Sequence, residues 1–303
     1  MKMRKDRSKN DLPWRLTTLP KWSCGFSIIW LDIRNANANL QEPKGDLLVM
    51  ERDPASHVIE EFSSEETQRL YREKAREGLW DFEAHFIEKY FTRDGLLLDL
   101  GCGTGRTTMP LVRDGYRVIG IDLTPAMIEN ATVIAEDEGL KIDYRVGDAT
   151  SLDFTDGTFD YALFSNQGWS QIPGRENRRR ALQEVHRVLK EGGIFIFTTH
   201  RRTFSKGFML FWMKQWIRFY VLKPLGMRIL ERDFGDRFFA REDHARGSLH
   251  QYVHIPSIRE VERAIRESGF GILEIADRPI PDTSARRTPP VFYVCEKRHT
   301  RHS

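Results

Sequence analysis

Apolar residues in the middle of the chain occur in short continuous runs that alternate with stretches of helical spacing. The first run, Leu96–Leu100, is broken only by Asp99, which is typical of a strand buried on both faces of a parallel sheet. Similar runs predict further strands at residues 117–122, 141–146, 159–164 and 194–199. Because these runs alternate with helical stretches, the pattern predicts an α/β domain.

The clearest helical pattern covers residues 175–190. Apolar side chains recur there at helical spacing and define one buried face: Ala181, Leu182, Val185, Val188 and Leu189. Arg178 to Arg180 fall largely on the other side of this helix. We therefore expect them to face solvent.

Two capping patterns predict helices outside this central region. Ser63 and Glu66 form the first, and a second helix follows it at residues 80–91. Ser257 and Glu260 form the other, near the end of the chain. Two more apolar runs predict the last strands, at residues 271–276 and 291–295.

A glycine-rich turn follows the first strand. Gly101, Gly103 and Gly105 occupy alternate positions, so the backbone there can approach a ligand closely. The D-x-G-x-G-x-G spacing from Asp99 differs from the dinucleotide fingerprint G-x-G-x-x-G, because Arg106 stands where the third glycine would be. It resembles motif I of the class I S-adenosylmethionine (SAM)-dependent methyltransferases.

Two acids further along the chain strengthen that resemblance. Asp122 ends the second strand, where a carboxylate can accept both ribose hydroxyls. Asp148 follows the third strand, and in this family an acid at that place binds the adenine amine. The helix, Gly-Gly turn and strand over 181–199 are also typical of the family. The resemblance implies SAM as the cofactor. It also implies a doubly wound, mostly parallel seven-stranded sheet with helices on both faces and an antiparallel last strand.

The resemblance also implies which residues contact the cofactor. These contacts are expected from the glycine turn and from the ends of the next strands: Asp99, Gly101, Cys102, Gly103, Gly105, Asp122, Leu123, Asp148, Ala149 and Ser165. The resemblance says little about the substrate, whose contacts we expect from a helix ahead of the first strand, from the loops at the same edge of the sheet and from the insert: Tyr71, Asn166, Gln167, Arg201 and Trp212. His200 directly follows the fifth strand and is the candidate proton acceptor, since the unperturbed pKa of histidine lies near neutrality.

The resemblance to this family does not extend to the insert at residues 203–255. Residues 208–222 predict a helix of about four turns with a wide apolar arc. This helix could be a lid over an apolar substrate, a membrane-surface helix, or a packed insert or dimer contact, and the sequence leaves these alternatives open. The histidines between residues 244 and 254 lack zinc-type spacing, so we expect no metal site.

Composition narrows the range of partners. The chain has 303 residues, of which 40% are hydrophobic and 30% charged, as in soluble globular proteins. Its net charge of +3 does not favour a dedicated nucleic-acid binder. Cys24, Cys102 and Cys295 are far apart and odd in number, which argues against a disulfide framework and fits a reducing compartment.

We therefore expect a cytoplasmic SAM-dependent methyltransferase that acts on an N, O, S or C nucleophile of a small, partly apolar substrate. No stable nucleic-acid partner is expected, while peripheral membrane contact and the oligomeric state are left open. Three other functions also stay open at this point: an NAD-dependent oxidoreductase, a SAM-binding protein without turnover, and an RNA methyltransferase. The basic ends of the chain, at 1–9 and 297–302, favour the last of these only slightly.

Residues 1–49 differ in character from the rest of the chain. A basic start and a short apolar run are consistent with a signal peptide, but Asp32 and Arg34 interrupt the boundary after the apolar run. We expect a weakly ordered N-terminal extension instead. Residues 50–300 would then form the methyltransferase domain, with a helical insert at about 203–255.

Overall fold

The computed structural model describes residues 54–204, 206–227, 229, 231–240, 250–276 and 290–298. The predicted N-terminal extension over 1–49 lies outside these residues. Within them, the helices are α1 (Pro54–Ser63), α2 (Glu65–Ala75), α3 (Asp81–Tyr90), α4 (Thr108–Arg113), α5 (Pro125–Asp137), α6 (Arg175–Val188), α7 (Lys206–Ile217) and α8 (Ile258–Glu267). The strands are β1 (Leu96–Leu100), β2 (Arg117–Asp122), β3 (Asp143–Val146), β4 (Phe159–Phe164), β5 (Leu189–Thr199), β6 (Asp236–Ala240), β7 (His250–His254), β8 (Phe270–Ala276) and β9 (Val291–Lys297).

Seven of these strands form one sheet in the order β3-β2-β1-β4-β5-β9-β8. The five strands from β3 to β5 pair in parallel, whereas β9 pairs antiparallel with both β5 and β8. The predicted seven-stranded, mostly parallel sheet with an antiparallel last strand is therefore confirmed. The chain order reverses between β1 and β4, so the carboxyl ends of these two strands border a crevice.

Strand β1 lies at the centre of this sheet and is buried on both faces. Leu98 contributes to a core cluster that also contains Leu182 of α6 and Val261 of α8. Leu97, its neighbour, points to the opposite face, where it joins a cluster with Phe86 of α3. Both leucines have no exposed surface, which is what the uninterrupted apolar run predicted.

Two local predictions are wrong. The first concerns the start of α2, where Ser64 rather than Ser63 is the N-cap, since its hydroxyl accepts from the Thr67 N–H at 3.4 Å. The second concerns Arg178, whose side chain is buried rather than solvated. Its guanidinium donates to the Asp233 carboxylate at 2.8 Å and to the Tyr252 hydroxyl at 3.0 Å. Spacing on a helix identifies a face, but it does not reveal that the later insert covers that face.

The insert contains more than the predicted helix. Helix α7 continues into a π-helical turn, Arg218–Leu222, and is followed by an antiparallel hairpin that pairs β6 with β7. The sequence analysis had predicted only the helix here. His254, in β7, lies between the Asp236 and Glu260 carboxylates, at 2.7 and 2.9 Å from its two ring nitrogens. This cluster joins the hairpin to α8.

Among the described residues, no helix has both the length and the apolar character that a membrane span requires. Nor do the residues that the structure describes contain a group of three or more histidine, cysteine or acidic side chains placed to hold a metal ion. His244 lies outside this part of the chain.

Candidate active site

A cleft that is partly open to solvent lies at the carboxyl ends of the central strands. Parallel strands end at the same edge of a sheet, so the loops after β1, β2, β3 and β4 meet there. Predicted site residues from all four loops line the cleft: Gly101, Gly103, Asp122, Leu123, Asp148, Ala149, Ser165 and Asn166. Tyr71 of α2 lines it as well. Residues distant in sequence are thus brought together as predicted.

The glycine turn presents its backbone to the cleft. Gly101 and Gly103 have φ values of +60° and +55°, in the left-handed region that favours glycine. A Cβ added at Gly103 would lie 3.6 Å from the Tyr71 ring. The Thr104 hydroxyl also donates to the Tyr71 carbonyl at 2.7 Å, so α2 is held directly against the turn.

Asp122 connects the end of β2 to this turn. One carboxylate oxygen accepts from the Gly103 N–H at 2.9 Å, and the other accepts from the Thr124 N–H at 2.9 Å. Burial raises the pKa of Asp122, while these two backbone hydrogen bonds lower it. The carboxylate is therefore held in one orientation, with part of its surface on the cleft.

Asp148 lies in the turn after β3, on the same wall of the cleft. Its Oδ1 accepts from the Thr150 N–H at 2.8 Å and from the Thr150 hydroxyl at 2.9 Å. This is a local side-chain turn that fixes the carboxylate where the chain leaves the strand. Ala149, next in sequence, also lines the cleft.

Ser165 and Asn166 form the wall after β4. The Ser165 hydroxyl donates to the buried Glu83 carboxylate of α3. Asn166 has a φ of +48°, and its buried Oδ1 has no hydrogen-bond partner among the described residues. Because a buried polar atom is costly when it is unpaired, this oxygen is suited to accept from a bound ligand. Gln167 follows with a φ of +56°, and its N–H donates to the Thr198 hydroxyl, but it does not line the cleft.

A buried ion pair supports the cleft from behind. Both oxygens of Glu83 accept from the Arg106 guanidinium at 2.7 Å, and the Arg106 side chain stacks on the Trp80 ring at 3.8 Å. Burial alone would lower the pKa of Arg106, but the charge of Glu83 raises it above its ordinary value. This pair links the glycine turn to α3 and, through Ser165, to the loop after β4.

Three predicted cofactor residues lie in or beneath the glycine turn and do not line the cleft. Asp99 is fully buried, and its Oδ2 accepts from the Thr107 and Thr108 hydroxyls, each at 2.6 Å. Burial raises the pKa of Asp99 to about 6, although these hydrogen bonds lower it. Cys102 and Gly105 are also buried and do not line the cleft. In this structure the three residues shape the turn.

Three predicted catalytic or substrate residues lie elsewhere. His200 does not line the cleft; its N–H donates to the Ser170 hydroxyl at 3.4 Å, and burial lowers the pKa of its ring to about 4. Arg201 is exposed and also lies off the cleft. Trp212 is buried in a separate cluster with Val253 in the insert.

The sequence analysis missed several apolar residues that line the cleft. Val58 and Phe62 of α1 line it together with Ile172 and Pro173 from the loop before α6. The Phe62 ring meets the Tyr71 ring edge-on at 5.6 Å. The spacing of residues in α1 does not indicate a contact with the sheet edge, so only the packed structure reveals these apolar residues of the cleft.

The residues of the cleft suit the cofactor that the resemblance implies. The glycine backbone leaves room for close approach, and two fixed carboxylates border the same space. The unpaired Asn166 oxygen adds a hydrogen-bond acceptor. Carboxylates at the ends of two neighbouring strands suit the hydroxyls and amine of an adenosine group. The donor set is therefore consistent with SAM.

Comparisons with known proteins agree with this site. The family model described as a methyltransferase domain matches residues 97–193. A demethylmenaquinone methyltransferase of Symbiobacterium thermophilum is 31% identical over 207 residues, covering 64% of this chain and 76% of that protein. A ubiquinone biosynthesis O-methyltransferase of Brucella anthropi is 28% identical over 206 residues, covering 66% of this chain and 72% of that protein.

A solved structure extends the agreement to the fold. The SAM-dependent methyltransferase of Methanosarcina mazei superposes with a TM-score of 0.58 at 23% identity, covering 73% of this chain and 99% of that chain. The sheet order, the cleft at its switch point and the sequence relatives lead to one conclusion. The chain belongs to the class I SAM-dependent methyltransferases, and its cofactor is SAM.

Proposed function

We propose that this enzyme methylates a small, partly apolar acceptor that binds in the cleft. The single observation that carries the proposal is that apolar side chains line the same cleft as Asp122 and Asp148. Val58, Phe62 and Ile172 are among them. Ligand sites of this kind pair an apolar body with a few polar groups that fix orientation.

We propose that the cofactor is held by the residues of the glycine turn and the two carboxylates. Gly101 and Gly103 would contact it through their backbone, Asp122 would accept the ribose hydroxyls, and Asp148 would accept from adenine. SAM supplies an electrophilic methyl group on a sulfonium. Ser165 and Asn166 would then lie between cofactor and acceptor, where the unpaired Asn166 oxygen can orient either one.

An O, N or S acceptor that carries a proton must lose it during methyl transfer. No histidine, lysine or cysteine is found among the described residues that line the cleft. We propose that the acceptor would lose its proton to solvent when bound SAM supplies the methyl group. Placement of acceptor and methyl group in line then supplies much of the rate. Acceptors with an acidic hydroxyl or a carbon nucleophile suit such a site best.

The relatives suggest which acceptors to test first. The two named above are a demethylmenaquinone methyltransferase and a ubiquinone biosynthesis O-methyltransferase. Their names support precursors of ubiquinone and menaquinone as starting candidates. Phe62, Ile172 and Pro173 give the cleft apolar surface that such a ring could contact.

A label-transfer assay tests the proposal. The full chain is incubated with methyl-labelled SAM and cell extract, which is then separated into organic-soluble, small aqueous, protein and RNA fractions. Label in a small-molecule fraction supports the proposal. Label in RNA that is lost on RNase treatment would replace it with RNA methylation, and binding without transfer to any fraction would point to a protein without turnover.

The cofactor contacts are tested separately by calorimetry. We expect Asp122→Ala to weaken SAM binding by about 1–3 kcal/mol, the cost of leaving charged hydrogen bonds unmade. Asp153→Ala, which changes an exposed acid outside the cleft, is the matched control and should leave the affinity unchanged. Equal affinity of Asp122→Ala and wild type would mean that the ribose binds elsewhere.

A further inference from the structure

Helix α7 has two apolar faces, and one of them packs against other described residues. The inward face places Trp212 against Val253 and Ile255, with Phe208 and Phe211 beside them. The Trp212 ring also donates to the Thr203 carbonyl at 3.1 Å. These contacts explain part of the wide apolar arc.

The other face forms a stripe of large apolar side chains that are 41–63% exposed: Met209, Leu210, Met213, Trp216, Ile217 and Tyr220. Their spacing of three and four residues places them in adjacent rows of one helix. The segment after the π-helical turn extends the exposed apolar surface with Leu225, at 78% exposure, and Met227, at 47%. None of these residues lines the cleft, so the stripe is not a lid in this structure. We call these eight residues the α7 stripe.

The sequence segment that carries the α7 stripe has charges of one sign only. Every charged residue from 201 to 230 is lysine or arginine. Lys214, on the helix itself, and Arg201, just before it, are both exposed. The first acid after this stretch, Glu231, is buried. The stripe therefore combines exposed apolar side chains with cationic neighbours.

We propose that the α7 stripe docks on the surface of an anionic lipid bilayer. A helix with large apolar side chains on one face and flanking lysine or arginine lies in the membrane interface, with its apolar face among the acyl chains and its cations near the headgroups. Lys214 can extend from the edge of the stripe toward lipid phosphates while its methylene groups stay in apolar surroundings. Met213 and Trp216 are central to the stripe.

A second copy of the chain is a weaker candidate for the occupant. A two-fold contact through the stripe would bring the same surface of both subunits together. Lys214 of each would then lie near the same exposed cation of the other, and residues 201–230 contain no acid to pair with it. Like charges across an interface oppose association. An anionic bilayer instead complements both properties of the stripe.

Vesicle co-sedimentation of the full chain tests this proposal, and it does not depend on the identity of the acceptor. We expect binding to phosphatidylcholine vesicles that contain phosphatidylglycerol, weaker binding to phosphatidylcholine alone, and loss of binding as salt is raised. Met213→Ser/Trp216→Ser should lower the vesicle partition coefficient about tenfold or more. Lys214→Glu should lower it only for the anionic vesicles.

Val133→Ser is the matched control, because Val133 is 51% exposed on α5, outside the stripe. It should bind vesicles like wild type, and all variants should keep wild-type SAM affinity. No binding of wild type to either vesicle would overturn the proposal, as would unchanged binding of Met213→Ser/Trp216→Ser. A dimer in light scattering that this double variant converts to monomer would also overturn it, since a second copy would then cover the stripe.

Discussion

The buried pair of Glu83 and Arg106 is expected to be a main support of the glycine turn, and Glu83→Ala tests this. The Glu83 side chain is 1% exposed and that of Arg106 is 9% exposed, so solvent screens their charges poorly. Two hydrogen bonds of 2.7 Å join them, and Glu83 also accepts from the Trp80 N–H at 2.9 Å. Removing the carboxylate leaves the guanidinium with the Gly78 carbonyl, at 2.8 Å, and the stacked Trp80 ring.

Removal of one partner from a buried pair costs about 3–5 kcal/mol, because the other charge stays buried without compensation. We therefore expect Glu83→Ala to lower the free energy of unfolding by that amount in urea denaturation. Glu83→Ala/Arg106→Leu should recover a large part of the loss, since no charge is then left unpaired. Because Ser165 loses its acceptor as well, SAM affinity should fall under conditions in which Glu83→Ala is still folded.

The surface pair of Glu176 and Arg179 provides the control. Its hydrogen bond of 2.6 Å is as short as those of the buried pair, but both side chains are exposed. Glu176→Ala should therefore leave the unfolding midpoint unchanged. A loss below about 1 kcal/mol for Glu83→Ala, or no recovery in the double variant, would refute the reasoning that burial makes this pair important.

Three further predictions concern titratable groups. His200→Asn should keep the rate of methyl transfer within about threefold of wild type and leave its pH profile unchanged, whereas loss of a catalytic base would cost about a hundredfold or more. His254→Leu should leave the Asp236 and Glu260 carboxylates facing each other without the ring between them. We expect this change to lower the free energy of unfolding by about 3 kcal/mol and to speed hydrogen exchange in β6 and β7. Unchanged exchange would count against this prediction. Because burial raises the pKa of Asp99 to about 6, the folded protein binds this proton more tightly than the unfolded chain does. Stability should therefore fall by on the order of 2–3 kcal/mol as the pH rises from about 4 to about 6, and Asp99→Asn should flatten that dependence in urea denaturation across this range.

Much of the fold could be predicted from local pattern. The apolar run of β1 predicted a strand buried on both faces, and Leu97 and Leu98 have no exposed surface. Parallel strands end at one edge, so the order of strands and helices also predicted that Asp122 and Asp148 would lie near the glycine turn, as they do in the cleft. The roles of these two acids in binding stay predictions.

The sequence predicted less about the substrate end of the site. His200 follows β5 at the same edge as the other loops, yet it packs beside Ser170 and not on the cleft. Val58 and Phe62 reach the cleft from a helix whose own pattern does not indicate a contact with the sheet edge. Position after a strand predicts the edge on which a residue lies, while packing decides whether its side chain faces a ligand.

The sequence by itself thus determined the α/β class, the edge of the sheet at which the loops after the strands lie, and the place of the glycine turn. These features depend on local polarity and backbone freedom. Only the tertiary structure decided that Arg106 pairs with Glu83, that Arg178 is buried under the insert, and that the outer face of α7 stays exposed. The physical reason is the range of the interactions. The periodic spacing of apolar residues indicates which face of an element is buried. The partner of a buried charge, in contrast, lies on a chain segment that comes close only when the sheet and its insert have packed.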